Sequence, residues 1–311
     1  SPGGAGSAQE TTTSARAERV LPNVWAKAEP SLSERLQVNV TCAPRTSAPI
    51  GKKALACSAP TRGTRCARFV MDNAVVGADL RELRGMVEWL VAEAWGAGAG
   101  PPSVIDLHQG SISYKEQFVD VYALMEFKSI YFTDAQVKAY EAVRQLLRRT
   151  IADLFGVPEE GLLHDLTFFS HINASKDAKT LHDEYWHEHT DTEQYGTFAY
   201  TTLLYLSTEG EDFDGGEFVF EAVDATSAPA AAAVEPRYGR IVAFTSDAEN
   251  PHYVEKVRRG VRITLTSAFT CNQEKAASIG AFPRPGTKLA EALAEEEDGG
   301  EREAENPFKK A

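Results

Sequence analysis

The chain has 311 residues, 43% of them apolar and 25% charged, and a net charge of −13. This balance is ordinary for a folded protein and excludes wholesale disorder, and no apolar run approaches the roughly eighteen residues needed to cross a bilayer. The surplus of acid argues against nucleic acid as a partner, because phosphate backbones are held by cationic contacts.

Residues 1–30 are rich in Ser, Thr, Ala and Gly, carry no periodic pattern and are expected to be disordered. The chain opens on Ser1 rather than Met, so an anchor ahead of Ser1 is the expected route to a membrane. Residues 31–164 form a cysteine-bearing region followed by supporting helices. Cys42, Cys57 and Cys66 lie here and Cys271 lies far downstream, and four cysteines allow three pairings that sequence cannot choose among. Two sequons, Asn39-Val40-Thr41 and Asn173-Ala174-Ser175, permit N-glycosylation.

Asp79 to Trp95 places Leu80, Leu83, Met86, Leu90 and Val91 at helical spacing. A second helix opens near Asp134, carries Val137, Tyr140, Val143, Leu147 and Ile151 on one face, and closes at Gly156. The stretch Gly96 to Pro102 reads as a loop between them. Tyr122, Phe127, Tyr131 and Phe132 are taken as core aromatics rather than a recognition stripe.

From residue 165 to 275 the pattern turns to strands. Leu166–Ile172, Phe198–Ser207, Glu217–Glu221, Arg240–Thr245 and Val261–Cys271 are β-rich runs separated by Gly, Asp, Ser and Pro turns, as an antiparallel barrel or jelly roll demands. Ala222 to Val234, with its four consecutive alanines, reads as a flexible insertion. Leu181 to Asp224 holds twelve acidic residues and no Lys or Arg, which suits a neutral or basic peptide. Residues 276–311 form an acidic tail, expected to be disordered.

The chemistry gathers around Asp183 to Asp191. Read as an extended segment, it puts His189 and Asp191 on one face, together with His187 as a competing ligand. His252 follows in Asn250-Pro251-His252. Two His and one carboxylate with open positions are the ligand set of non-haem Fe(II) oxygenases. Arg262 sits in an alternating run in which Thr264, Thr266 and Ala268 share its face while Ile263, Leu265 and Phe269 take the other. If the apolar face packs on the body, Arg262 points inward, where a guanidinium needs an anion; its planar fork predicts a carboxylate guest.

His189-Thr190-Asp191, His252 and Arg262 together resemble the Fe(II)- and 2-oxoglutarate-dependent oxygenases of the prolyl 4-hydroxylase type. Thr201 to Ser207, Gly215-Gly216-Glu217-Phe218 and Gly239 to Phe244 resemble supporting blocks of that family. The resemblance is closer to the 2-oxoglutarate and iron-dependent oxygenase domain-containing protein 3 group, through Ile105 to His108, Thr167 to Ser170, His182 to His187, Val234 to Arg237 and Val254 to Val257. It covers roughly Cys42 to Asn272.

The resemblance implies an α+β fold, a double-stranded β-helix (jelly roll) core backed by N-terminal helices. It implies that His189, Asp191 and His252 hold Fe(2+), that 2-oxoglutarate and O2 are co-substrates, and that Arg262 grips the far carboxylate with Thr264 beside it. L-ascorbate is the expected reductant and a peptide or protein side chain the expected acceptor. Members of the group resemble luminal proteins with an N-terminal anchor, so the endoplasmic reticulum or Golgi is expected. Two disulfides are expected with it, one tying the N-terminal segment to Cys271. Trp186 stands near the co-substrate where collagen-type enzymes carry Tyr, and an indole cannot accept a hydrogen bond as a phenol does, so prolyl specificity does not carry over. The alternatives are a cupin-like metal enzyme without co-substrate and a non-catalytic interaction module of the same fold.

Overall fold

The computed structural model describes residues 24–25, 35–42, 66–95, 103–114, 117–178, 184–222, 231–277, 280–284 and 287–291. In chain order they form β1 (Val24–Trp25), β2 (Leu36–Asn39), β3 (Ala67–Met71), α1 (Ala78–Leu90), β4 (Ser103–Asp106), β5 (Ser111–Tyr114), β6 (Gln117–Asp120), α2 (Val121–Lys128), α3 (Asp134–Phe155), β7 (Leu163–Asn173), α4 (Asp191–Tyr195), β8 (Tyr200–Tyr205), β9 (Phe213–Gly215), β10 (Phe218–Phe220), β11 (Ala232–Val234), β12 (Ile241–Thr245), β13 (His252–Val254), β14 (Val257–Thr270) and α5 (Gln273–Ala277).

The strands make two sheets. The larger runs β2-β3-β12-β8-β14-β7-β4-β5-β6, with β9 paired to the start of β14; the smaller runs β1-β11-β10-β13. Within the larger sheet every pairing is antiparallel. Val70, Leu203, Tyr205, Val242 and Phe244 from it meet Phe218, Phe220 and Val234 from the smaller one in a shared core. Two sheets closed face to face over that core make a jelly roll.

The other face of the large sheet explains the helices. Ile263, Leu265, Phe269, Leu204 and Ile241 pack with Leu83, Met86, Leu90, Tyr140, Val143 and Leu147 in the main core. α3 begins at a capping box, in which the Thr133 and Gln136 side chains each accept from the other's backbone N–H, and ends where Gly156 takes a left-handed conformation. α1 runs on through a π-helical turn, Val91–Trp95. Among the described residues no helix is long and apolar enough to cross a membrane.

Several expectations are corrected. Ala222 to Val234 does not read as loop throughout: Ala232–Val234 pairs with β10, and the two-residue β1, within the segment expected to be disordered, pairs parallel to it. Phe127 is 86% exposed, unlike the buried Tyr122 and Phe132, because it faces away from the side of α2 that packs on the core. Part of the tail is folded back: Phe282 packs edge-on against Tyr140, Leu289 is buried, and Arg284 pairs with Asp120. The Gly96–Pro102 loop, Cys57, His182 and residues 223–230 and 292–311 lie outside the described residues.

Cys42 and Cys66 form a disulfide, joining the end of β2 to the residue before β3. Cys271, one residue past β14, is disulfide-bonded as well.

Candidate active site

The site lies between the two sheets, and the local chain paths decide its geometry. Among the described residues of its segment, His189 alone pairs with β13: it exchanges both backbone hydrogen bonds with His252, N to O at 3.0 and 2.9 Å. That pairing sets the imidazoles side by side, 4.5 Å between ring centres. Residues 185–187 form a turn, so the extended reading fails upstream, but His189 in its bridge and Thr190 at φ −117, ψ 143 are extended as expected. The side chains of His189 and Asp191 therefore share a face by strand alternation, and α4 opens only at Asp191 itself.

The outcome is a compact donor set. One ligand atom from each of His189, Asp191 and His252 lies within 4.8 Å of the others; Asp191 Oδ1 is 3.5 Å from His252 Nε2 and 3.9 Å from His189 Nε2. Each imidazole is fixed from behind: Nδ1 of His189 donates to the His187 carbonyl and Nδ1 of His252 to the Asn250 carbonyl, both at 2.9 Å. With the proton spent there, both Nε2 lone pairs face the centre, the tautomer a metal requires. The other carboxylate oxygen of Asp191 accepts from Thr201 Oγ1, which also contacts Ser246 Oγ at 2.8 Å, leaving one oxygen for a cation. Burial, only partly offset by Asp191, pulls the His252 pKa down to about 4, so the ring is neutral at physiological pH. Phe218 and Phe244 wall it at 4.9 and 5.0 Å. Two imidazole Nε2 atoms and one carboxylate oxygen aimed at a common point fit a ferrous ion.

Arg262 points inward as its alternation predicts. It is buried, its Nε donates to the Gly216 carbonyl at 2.9 Å, and its Nη2 has no partner among the described residues. Burial pulls its pKa below the usual value, opposed by the neighbouring Tyr205 and Tyr185 phenols. Gly216 is required there: at φ +76 it is left-handed, and a Cβ would lie 2.9 Å from Arg262 Cδ. Thr264 is buried and registers beside Tyr205 on the same inner face.

The structure departs from the sequence reading at three residues. Trp186 lies under the Lys256 ammonium, 3.8 Å above the ring, and against Tyr185; it is Tyr185, whose hydroxyl accepts from the Val257 N–H at 2.8 Å, that feels the Arg262 charge. His187 is exposed and paired with Glu184, so it is no competing ligand. Tyr205 was not singled out: it is fully buried, its hydroxyl has no partner among the described residues, and Arg262 lies 5.3 Å from its ring centre. Thr201, Leu203 and Tyr205 occupy alternate positions of β8, so one strand face carries the brace of Asp191 at one end and the partner of Arg262 at the other.

The sequence model of the 2OG-Fe(II) oxygenase superfamily matches residues 176–270. The chain is 41% identical to the 2-oxoglutarate and iron-dependent oxygenase domain-containing protein 3 of Homo sapiens over 70% of this chain and 67% of that protein, so it spans about two thirds of that relative. It is 44% identical over 71 residues to prolyl 3-hydroxylase 2 of Mus musculus, 23% of this chain and 9% of that one. Among solved structures, a Pseudomonas putida prolyl-4-hydroxylase is similar over 65% of this chain and 91% of its own, at 18% identity and a TM-score of 0.39. The extent of the human match, together with the converging triad, places the chain in the 2-oxoglutarate- and Fe(II)-dependent oxygenase family.

Proposed function

We propose that this oxygenase hydroxylates a peptide or protein side chain in the lumen of the secretory pathway, with ascorbate as the reductant that keeps its iron ferrous. The observation that carries the reading is the division of the site between two ends of β8: a triad of two imidazoles and a carboxylate at Thr201, and a buried cation with an N–H that has no partner among the described residues at Tyr205. His189, Asp191 and His252 would hold Fe(II), which with 2-oxoglutarate and O2 supplies the oxidising chemistry of the family. The chain's own residues do the rest. Arg262 Nη2 and the Tyr205 hydroxyl are donors positioned for the far carboxylate of the co-substrate, and Thr264 lines the same wall. Thr201 holds Asp191 to one free oxygen, and the phenylalanines around His252 exclude water.

The acceptor class follows from charge. Glu188 and Glu193, on either side of the His189–Asp191 pair, are exposed, and their stretch has no compensating Lys or Arg, which favours a neutral or basic peptide over a phosphorylated one. For the compartment, the Cys42–Cys66 bridge and the exposed Asn39 of the first sequon support an oxidising lumen. An N-terminal anchor, making the protein single-pass, belongs to the same proposal.

The test is a peptide-library screen with Fe(II), ascorbate and 2-oxoglutarate, read as a mass gain of one oxygen. Oxygenated peptides are expected, enriched in neutral or basic sequences. Succinate formation that no peptide stimulates, with no oxygenated product, would remove the peptide acceptor.

A further inference from the structure

The match to the superfamily's sequence model begins at residue 176, yet a side chain far upstream of it reaches the metal site. Arg68 lies on β3 in register with Phe244, on the strand face that points between the sheets, and is 1% exposed. Its guanidinium lies over the Phe220 ring, 4.4 Å from the centre. A buried guanidinium is costly unless its donors are used. Here two of the nitrogens carry the hydrogen bonds of the group: Nε donates to Asn250 Oδ1 at 2.6 Å, and Nη2 donates to the Glu221 and Glu249 carbonyls at 3.3 and 3.4 Å, while Nη1 has no partner among the described residues.

Asn250 is fixed from its other side as well. Its Nδ2 donates to the Thr245 carbonyl at 2.7 Å and to Thr245 Oγ1 at 2.9 Å. The backbone carbonyl of this immobilised residue receives the His252 Nδ1–H. The connections therefore run from Arg68 through the Asn250 side chain to the carbonyl that sets the ring angle and tautomer of His252. The Glu221 N–H donates to the Pro251 carbonyl at 2.8 Å, so the carbonyls under Nη2 belong to the two chain segments that hold His252 in place.

We infer that Arg68 is a positioning residue for the metal centre: through Asn250 it aims His252 Nε2, which makes the disulfide-stapled N-terminal region part of the iron site rather than an appendage. Cys66, two residues before Arg68, carries the bridge to Cys42, and Val40 N donates to the Cys66 carbonyl at 3.0 Å, which holds β3 in register. The inference rests on the assignment of His252 as a metal ligand.

The experiment uses the full chain and Co(II) as probe, titrated by its visible absorption, with circular dichroism to verify folding. Removal of a partner that orients a metal-bound His weakens metal binding roughly 10–100-fold. Arg68→Lys keeps the buried charge, but its donors all leave one nitrogen, which cannot stand where both Nε on Asn250 and Nη2 on the Glu221 and Glu249 carbonyls stand. Arg68→Lys and Asn250→Ala are each expected to lose affinity in that range and to shift the Co(II) spectrum. The 2-oxoglutarate KM at saturating metal should stay unchanged, since Arg262 is untouched. Because both act through one path, the double variant should bind no more weakly than the weaker single one. Folded variants with wild-type affinity and spectrum, or losses that multiply in the double variant, overturn the inference; a lower Tm alone marks Arg68 as a brace of the fold and overturns it too. A wild-type chain that takes up no Co(II) removes the metal assignment itself, an outcome distinct from wild-type binding with unaffected variants.

Discussion

The guanidinium carbon of Arg262 lies 5.3 Å from the centre of the Tyr205 ring, and among the described residues neither the buried Arg262 Nη2 nor the buried Tyr205 hydroxyl has a hydrogen-bond partner. An unmet buried donor costs about 1–3 kcal/mol, so two of them side by side describe a site built for a guest. A carboxylate satisfies both, and the dicarboxylic acid of this family supplies one.

Opposite signs for stability and binding test this. Tyr205→Phe removes an unpartnered hydroxyl and should leave the apo-protein as stable or more so, while raising the 2-oxoglutarate KM about fivefold, the worth of a roughly 1 kcal/mol neutral hydrogen bond. Arg262→Ala removes a charge-assisted contact of about 1.5–3 kcal/mol and should raise the KM by one to two orders of magnitude. Thermal unfolding of the apo-protein and succinate formation against 2-oxoglutarate concentration measure both. An unaltered 2-oxoglutarate requirement in Arg262→Ala takes that residue out of the site.

At the other end of β8, His189→Ala and Asp191→Ala should abolish turnover with the fold retained. Thr201→Val is the more discriminating change, since it keeps shape and removes only the hydroxyl on Asp191 Oδ2. Freed of that bond, the carboxylate loses its fixed orientation, and iron affinity should fall roughly 10–100-fold. Equilibrium titration of the apo-protein checks it; turnover that survives in Asp191→Ala means the ligand assignment is wrong.

How far the sequence could be read depended on whether local signals agreed with tertiary ones. α3 was legible to the residue because Thr133, Gln136 and Gly156 act within one turn of their own positions. Arg262 was legible because β14 alternates between a helix-covered face and the interior. Tyr205 was hidden: β8 is buried on both faces, so its pattern carries no alternation and a functional phenol looks like core. The convergence of His189 and Asp191 was legible because the chain is extended from His189 through Thr190, whereas the turn at 185–187, which takes His187 out of that face, left no mark in the residue pattern. β3 was missed because Ala67–Met71 follows a cysteine-rich stretch without period, and with it went Arg68 and its reach to Asn250.

The co-substrate end should also respond to pH. Glu209, whose Oε1 accepts from the Gly215 N–H, has its carboxyl pushed up to about 8, by burial first and then by Glu217 and Glu235; its charge is felt by Arg262. Below that pH it is protonated and leaves Arg262 fully available to a carboxylate. Above it, the new negative charge competes with the guest, so the 2-oxoglutarate KM should rise as pH passes 8, and Glu209→Gln should flatten the rise. The sign for folding agrees: a carboxyl with a raised folded pKa contributes stability in full below its unfolded value near 4.5, and that contribution is lost as pH climbs through 8. Wild type should therefore lose stability relative to Glu209→Gln over that interval. A KM that is level from pH 7 to 9 in wild type would separate Glu209 from the site.

Reduction of the cysteines gives the last test, and Arg68 links it to the iron. The Cys42–Cys66 bridge spans 24 residues, and in the chain-entropy picture closing a loop of that size stabilises the fold by about 3 kcal/mol. The loss on reduction falls first on β2 and β3, the strands it joins and the outermost on their side of the large sheet. Because β3 carries Arg68, mild reduction should lower the melting temperature and loosen metal binding together, while the 2-oxoglutarate requirement at saturating metal stays level. A melting temperature unmoved by reductant would show that the bridge contributes nothing to the fold in solution. Lower stability with unchanged metal affinity would confine its role to β2 and β3.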